Sequence, residues 1–221
     1  MREKKFRDES GLFVVEGEKL VREALDSGFT VRAVWRREEI GEAAMARITQ
    51  LSSPSPVLAV VERPRRPLPQ SLTQGLYLAL DGIRDPGNMG TILRIADWFG
   101  VEAVFVSEDC VEPFNPKAIQ ASMGSVFRVA VIETALPPLC RRFREAGMPV
   151  WGTFLDGKDL YREPLGSAGM VVMGSESAGI RPEVAAWVDA RLWIPSFGRS
   201  GAESLNVAAA TAVTLSEFRR R

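Results

Sequence analysis

Apolar positions along the chain follow two spacings that replace each other every ten or so residues. In the first sixty, Leu12–Val15 is a short apolar run, Leu20, Val21, Ala24 and Leu25 recur at helical spacing within Glu18–Leu25, and Gly28 closes that stretch. Thr30–Trp35 alternates like a strand, Ile40–Leu51 returns to helical spacing, and Pro56–Val61 reads as a third strand. The pattern is clearer beyond residue 76. Strands are expected at Leu76–Leu80, Ala103–Val106, Phe127–Val131, Pro149–Phe154, Met170–Met173 and Arg191–Ile194. Helices are expected at Met89–Phe99, Pro116–Ser122, Leu136–Ala146, Pro182–Val188 and Ser204–Arg219. Short apolar strands alternating with helices imply an α/β fold with a mainly parallel sheet covered on both faces. Between the two patterns, RPRRPLPQSLTQG (Arg63 to Gly75) holds three prolines and little apolar periodicity, as a linker does. The expected organisation is a small α/β domain over 1–62, a linker over 63–75 and a larger domain over 76–221. A module as small as the first leans on its neighbour for stability. In parallel sheets ligands bind at the carboxyl ends of strands. Chemistry is therefore to be sought in the loops after Leu80, Met173 and Ile194.

Composition narrows that chemistry. The 221 residues are 46% hydrophobic and 25% charged, and they include no histidine and two cysteines. A histidine-based triad, metal site or general base is excluded. Cys110 and Cys140 lack the spacing of a zinc site and read as buried thiols. The formal net charge is zero, which argues against a non-specific polyanion binder. Local basic clusters remain: Arg2, Lys4, Lys5 and Arg7; Arg63, Arg65 and Arg66; Arg219, Arg220 and Arg221. They read equally well as solubilising surface or as phosphate contacts. No apolar run is long enough to span a bilayer, and Met1–Asp8 is charged with no apolar stretch behind it, so no membrane partner and a cytoplasmic location are expected.

Three loops combine polar residues in ways that go beyond turn chemistry. The first, Leu80 to Thr91, carries Arg84, a Pro86-Gly87 turn and Asn88, a candidate cap for the helix holding Arg94. An exposed backbone turn beside an arginine suits a phosphate or a ribose as well as it suits plain helix initiation. The second, Met173-Gly174-Ser175-Glu176-Ser177-Ala178-Gly179-Ile180, has the spacing of neither a P-loop nor a dinucleotide fingerprint, and Glu176 alone also reads as a helix-start charge. The third runs from Trp193-Ile194-Pro195-Ser196 through a glycine-containing loop to Ser204-Leu205-Asn206. Asn206 is expected inside the first turn of the last helix, where asparagine is a weak helix former.

Taken together in order, the three loops resemble motifs one, two and three of the SpoU-type RNA 2′-O-ribose methyltransferases of the SPOUT class. The resemblance rests on Asn88 with Arg94, on Gly174-x-Glu176 followed by Gly179-Ile180, and on Ile194-Pro195 with Ser204-Leu205-Asn206. It covers about residues 76–221. The segment with Lys4-Lys5-Phe6-Arg7 and Phe13-Val14-Val15-Glu16-Gly17 is similar to the family's small substrate-binding domain, which looks like certain ribosomal proteins. The loop from Phe197 to Ala202 departs from the family pattern by being slightly longer.

The resemblance implies a parallel sheet ending in a deep trefoil knot, S-adenosylmethionine as methyl donor, no metal, and a homodimer. It implies that Asn88, Arg94, Glu176, Ser204 and Asn206 are catalytic and that Met173, Gly174, Ile194, Ser204 and Leu205 receive the cofactor. RNA, ribosomal in preference to transfer, is the implied substrate, with Lys4, Lys5, Arg7 and Arg84 on it. The apolar circumference of the last helix favours burial against a second copy. Two other readings stand beside this one: a non-catalytic RNA-binding protein on the same fold, and a small-molecule enzyme with nucleotide substrates.

Overall fold

The computed structural model describes residues 3–72, 74–198 and 203–220. The chain opens with helix α1 (Lys4–Ser10), a polar turn-and-a-half without the apolar spacing that would have announced it, ended by Gly11 at φ 67°. Strands β1 (Leu12–Glu16), β2 (Val31–Arg36) and β3 (Val57–Glu62) form an antiparallel sheet in the order β1-β3-β2. Helix α2 (Glu18–Asp26) buries Leu20, Val21 and Ala24 against it. The single helix expected over Ile40–Leu51 is two pieces, α3 (Arg37–Ile40) and α4 (Glu42–Ile48), because Gly41 takes φ 84° between them.

The larger unit contains β4 (Leu76–Asp81), α5 (Pro86–Trp98), β5 (Val104–Val106), α6 (Pro116–Ser122), β6 (Val131–Glu133), α7 (Leu136–Glu145), β7 (Val150–Asp159), β8 (Gly169–Gly174), α8 (Pro182–Ala185), β9 (Ala190–Trp193) and α9 (Val207–Arg220). The six strands are parallel throughout, in the order β6-β5-β4-β8-β7-β9. β4 and β8 have no polar outward face: Leu76–Leu80 and Gly169–Met173 are buried, as a sheet covered on both sides requires. On one face α5, α6 and α9 pack with the N-terminal sheet; on the other, α7 and α8 pack around Tyr77, Phe105 and Phe143. The strand expected at Phe127–Val131 is instead a 3₁₀ turn, Ser125–Phe127, and β6 begins at Val131. Phe127 leaves the sheet direction to join Phe29 at 5.2 Å and Phe13 at 6.4 Å. No helix of the described residues is long and apolar enough to cross a membrane.

The two sheets meet along a closed seam. Phe13 stacks on Phe114 at 4.7 Å, Gln120 Nε2 donates to the Glu16 carbonyl at 3.0 Å, and Arg128 pairs with both Glu23 and Asp97. The segment between the sheets is fastened rather than free: Arg66 donates to the Val129 carbonyl at 2.6 Å and Arg142 to the Gln70 carbonyl at 2.7 Å. Arg7 corrects the expectation that it meets RNA. Its side chain is 2% exposed, and its Nε and Nη2 donate to Glu112 Oε2 at 2.9 and 2.7 Å. A guanidinium buried on a carboxylate has no donor face left for a phosphate in solution. Its neighbours Lys4 and Lys5 do face solvent, beside Asp8 and Glu9 on the same helix.

Candidate active site

The register Asp81↔Gly174 brings the carboxyl ends of β4 and β8 side by side, so the loops that follow must face each other. Asp85, at φ −81°, precedes Pro86 and accepts the Asn88 N–H at 2.8 Å, so Asp85 rather than Asn88 caps α5. Pro86 in the first turn suits that start, since its missing N–H is one the helix leaves unpaired anyway. Relieved of capping, the Asn88 side chain reaches across to β8. Its Nδ2 donates to Glu176 Oε1 at 2.9 Å.

Glu176 lies where β8 turns back on itself. Ser175 and Gly179 exchange main-chain hydrogen bonds of 2.9 and 3.1 Å, and Gly179 takes φ 66°. Gly174 admits no side chain: a Cβ there would lie 2.2 Å from the Gly179 carbonyl carbon and 2.3 Å from the Ile180 nitrogen. Beneath the turn, buried Asp81 accepts from the Arg181 main chain at 2.8 Å and from its guanidinium at 2.7 and 2.6 Å. That contact holds the Arg181 guanidinium above its ordinary range. Sequence patterning missed this pair because the partners are a hundred residues apart.

The third loop completes the cluster. Asn206 precedes α9 as its cap, not as a first-turn residue: Oδ1 accepts the N–H groups of Ala208 and Ala209 at 3.0 and 3.3 Å. Its Nδ2 donates to Asn88 Oδ1 at 2.9 Å and to Glu176 Oε1 at 2.8 Å. One carboxylate oxygen thus gathers two side-chain amides, with the Val207 N–H at 3.4 Å. Glu176 Oε2 has no partner among the described residues and remains an acceptor on the wall of an open cleft of about 200 Å³. Gly82, Ile83, Arg84, Asp85, Asn88 and Ser175 complete most of that wall. A wider groove, about 430 Å³, follows the outer face of α2, lined by charges of both signs from that helix alone.

Arg94 is not part of the cluster. Six residues beyond Asn88 it is about 9 Å along the axis and turned roughly 120° from it. It is exposed and has no hydrogen bond or ion pair among the described residues. Of the residues expected to be catalytic, Asn88, Glu176 and Asn206 hold one another, and Arg94 stands apart from them. Arg94 belongs to a stripe with Thr91 and Trp98, the latter 85% exposed, next to the outer face of α9. Ser204 is exposed and bonds to none of the three. Of the residues expected at the cofactor, Met173 is buried, Gly174 and Ile194 are half-buried, and Leu205 is exposed. The main-chain groups of Ile194, Ser204 and Leu205 have no backbone partner among the described residues, which leaves their donors and acceptors open.

This arrangement can be set against known proteins. The SpoU rRNA Methylase family model matches residues 75–216. The chain belongs to that family. An MRM3-like substrate binding domain matches residues 1–63. Among the family's members, the 23S rRNA (guanosine(2553)-2′-O)-methyltransferase RlmP of Bacillus subtilis is 32% identical, across 98% of this chain and 92% of its own. A TrmH-family protein of known structure from Porphyromonas gingivalis is 41% identical, with a TM-score of 0.90 over 99% of this chain and 94% of that one. The AdoMet-bound rRNA methyltransferase from Sinorhizobium meliloti is 34% identical, with a TM-score of 0.87 over 99% and 91%.

Proposed function

We propose that the protein transfers a methyl group from S-adenosylmethionine to a ribose 2′-hydroxyl of ribosomal RNA. The observation that carries this reading is the cluster of Asn88, Glu176 and Asn206, built from three family motifs, two of them after the adjacent strands β4 and β8 and the third at the start of α9. Its catalytic residues are Asn88, Glu176 and Asn206 with Arg94 and Ser204. A non-catalytic RNA-binding protein would have no need of them, and the relatives named above are enzymes of this kind.

The residues present fit the cofactor. The main-chain groups of Ile194, Ser204 and Leu205, without a backbone partner among the described residues, are suited to the polar edge of a purine. The donor supplies a methyl carbon already activated by a positive sulfur, so no metal is needed. What this chain contributes is position and charge. The free Oε2 of Glu176 accepts from a ribose hydroxyl, whose proton passes to it or to the neighbouring RNA phosphate as the oxygen bonds to carbon. Arg94, whose guanidinium offers donors and no acceptor, orients the 2′-oxygen and stabilises the negative charge that grows on it as the new O–C bond forms. Arg84 at the rim meets RNA phosphate, and Lys4 and Lys5 extend that contact along the N-terminal helix.

The placement of Arg94 away from its own chain's cluster supports a homodimer. Most of α9 is covered by its own chain: Val207, Ala208, Thr211, Thr214, Leu215 and Phe218 are buried. What remains is a narrow stripe, Ala209, Ala212, Val213 and Ser216. Small side chains at this spacing admit a second helix closely. Arg94 then serves the partner's cleft. The chain order in the sheet, in which β9 passes outside β7 and α9 returns to α5, is compatible with the family's trefoil knot. Calorimetry with S-adenosylmethionine in EDTA tests the cofactor assignment. Saturable binding by RNA-free protein is expected, and no heat at high ligand concentration would overturn it.

A further inference from the structure

One loop ties the seam to the cleft. The segment from Ser107 to Asn115, between β5 and α6, presents its first residues to one side and Glu112 and Phe114 to the other. Toward the cleft, Ser107 Oγ accepts the Gly82 N–H at 3.0 Å, Cys110 Sγ accepts the Ile83 N–H at 3.2 Å, and the Val111 N–H donates to the Ile83 carbonyl at 2.7 Å. Asp109 lies 3.6 Å from Arg181, the residue braced on Asp81 beneath the Glu176 turn. The Ser107 hydroxyl donates to Asp109 and keeps that carboxyl below the usual carboxylate range, ionised toward Arg181 and Arg84. Gly82, Ile83 and Arg84 are cleft wall, and this loop is what stands behind them.

Toward the N-terminal domain the same loop presents Glu112 and Phe114. Glu112 is held by Arg7 of α1, with Arg63 Nη1 3.2 Å from its other oxygen. Phe114 packs on Phe13 of β1 and lies under the Arg63 guanidinium. A buried ion pair is a poor means of stabilising a fold, since an apolar pair of like volume does as well or better. It is a good means of fixing a position, because the charge tolerates only one geometry. We propose that Arg7 and Glu112 are a positioning pair: the N-terminal helix holds the loop behind Gly82–Arg84, and the substrate-binding half thereby sets the turnover of the site as well as its affinity for RNA. This rests on the methyl-transfer reading above.

The test uses the full chain with both charges replaced, Arg7→Met with Glu112→Leu, so that no unpaired charge is left in the core. Melting temperature and calorimetric affinity for S-adenosylmethionine should match the parent protein. Methyl transfer to ribosomal RNA should lose about tenfold to hundredfold in kcat, with KM for RNA within about twofold, as expected when reacting groups are displaced by an ångström or less. Hydrogen exchange should quicken in 82–84 and 107–112 and stay unchanged in β8 and α9. A double variant with parental kcat, or one whose loss is entirely in KM, overturns the positioning role. Slower turnover together with a lowered melting temperature and general exchange overturns it too, as a plain folding defect. Failure of the parent protein to methylate RNA would instead fail the functional reading, which separates the two.

Discussion

The cleft and the seam each centre on a glutamate that gathers several N–H donors, and they use it in opposite ways. In the cleft, Glu176 is exposed and its partners are neutral amides from two other loops; one of its oxygens is still open. In the seam, Glu112 is 3% exposed and its partners are guanidinium groups. Neutral partners orient a carboxylate without cancelling it, so it remains available to a ligand. Charged partners in a dry site cancel it, and what is left is geometry. The arginines divide the same way: Arg94 is exposed without a partner among the described residues, while Arg7 is 2% exposed. A residue's type says little about its work until its partners are known.

The largest effect expected from breaking this contrast is at the seam. Arg7→Ala alone removes both hydrogen bonds to buried Glu112, leaving only Arg63 beside it, and should cost about 3–5 kcal/mol of stability, or roughly 6–20 °C in melting temperature for a chain of this length. Thermal unfolding by circular dichroism checks it, and a shift of a degree or two would make the pair dispensable. At the cleft, Arg94→Ala should melt like the parent and bind cofactor equally, yet lose about a hundredfold to thousandfold in methyl transfer, the range seen when one donor to a developing oxyanion is removed. Activity within a few fold would make Arg94 ordinary surface.

Asn206 belongs to both kinds of region, since it caps α9 and holds Glu176. Asn206→Ala should lose about 1 kcal/mol through the cap and most activity through the cluster. Mixing it with Arg94→Ala under exchange conditions should restore about one quarter of parental turnover if sites are shared, because half the dimers are mixed and one of their two sites carries neither lesion. No recovery would place both residues in one chain's site. The smallest effect is three residues from the largest. Lys4→Ala removes an exposed pair with Asp8 and should change stability by under about 0.5 kcal/mol, which parallel denaturant titrations of the two variants would resolve. Equal losses at positions 4 and 7 would erase the distinction drawn here.

Much of this was legible in the sequence, for reasons that also mark where legibility ends. The parallel sheet followed from apolar runs bounded by helical spacing, and the loops after Leu80 and Met173 followed from where such sheets bind ligands. Asn88, Glu176 and Asn206 were found through the order of three motifs, and the structure joins them by hydrogen bonds. Arg7 was misread because a basic run near the amino terminus looks the same in sequence whether its middle member faces water or a carboxylate 105 residues away. Asn88 and Asn206 exchanged the capping roles assigned to them: Asp85 caps first because Pro86 fixes the start of α5, and α9 begins at Val207 so that Asn206 closes it. The relation between Arg94 and the cluster depended on an angle around a helix whose first residue was misplaced by three.

The most direct test of the central claim is where the methyl group goes. Parent protein, ribosomal RNA lacking modification, S-adenosylmethionine labelled in its methyl group and EDTA should together yield labelled RNA. Alkaline digestion of that RNA should leave the label in dinucleotides, because a methylated 2′-oxygen cannot assist cleavage of its own phosphodiester. Label released as ordinary mononucleotides would place the methyl on a base, and unlabelled RNA would place it nowhere; either result contradicts a cleft built to present a ribose hydroxyl.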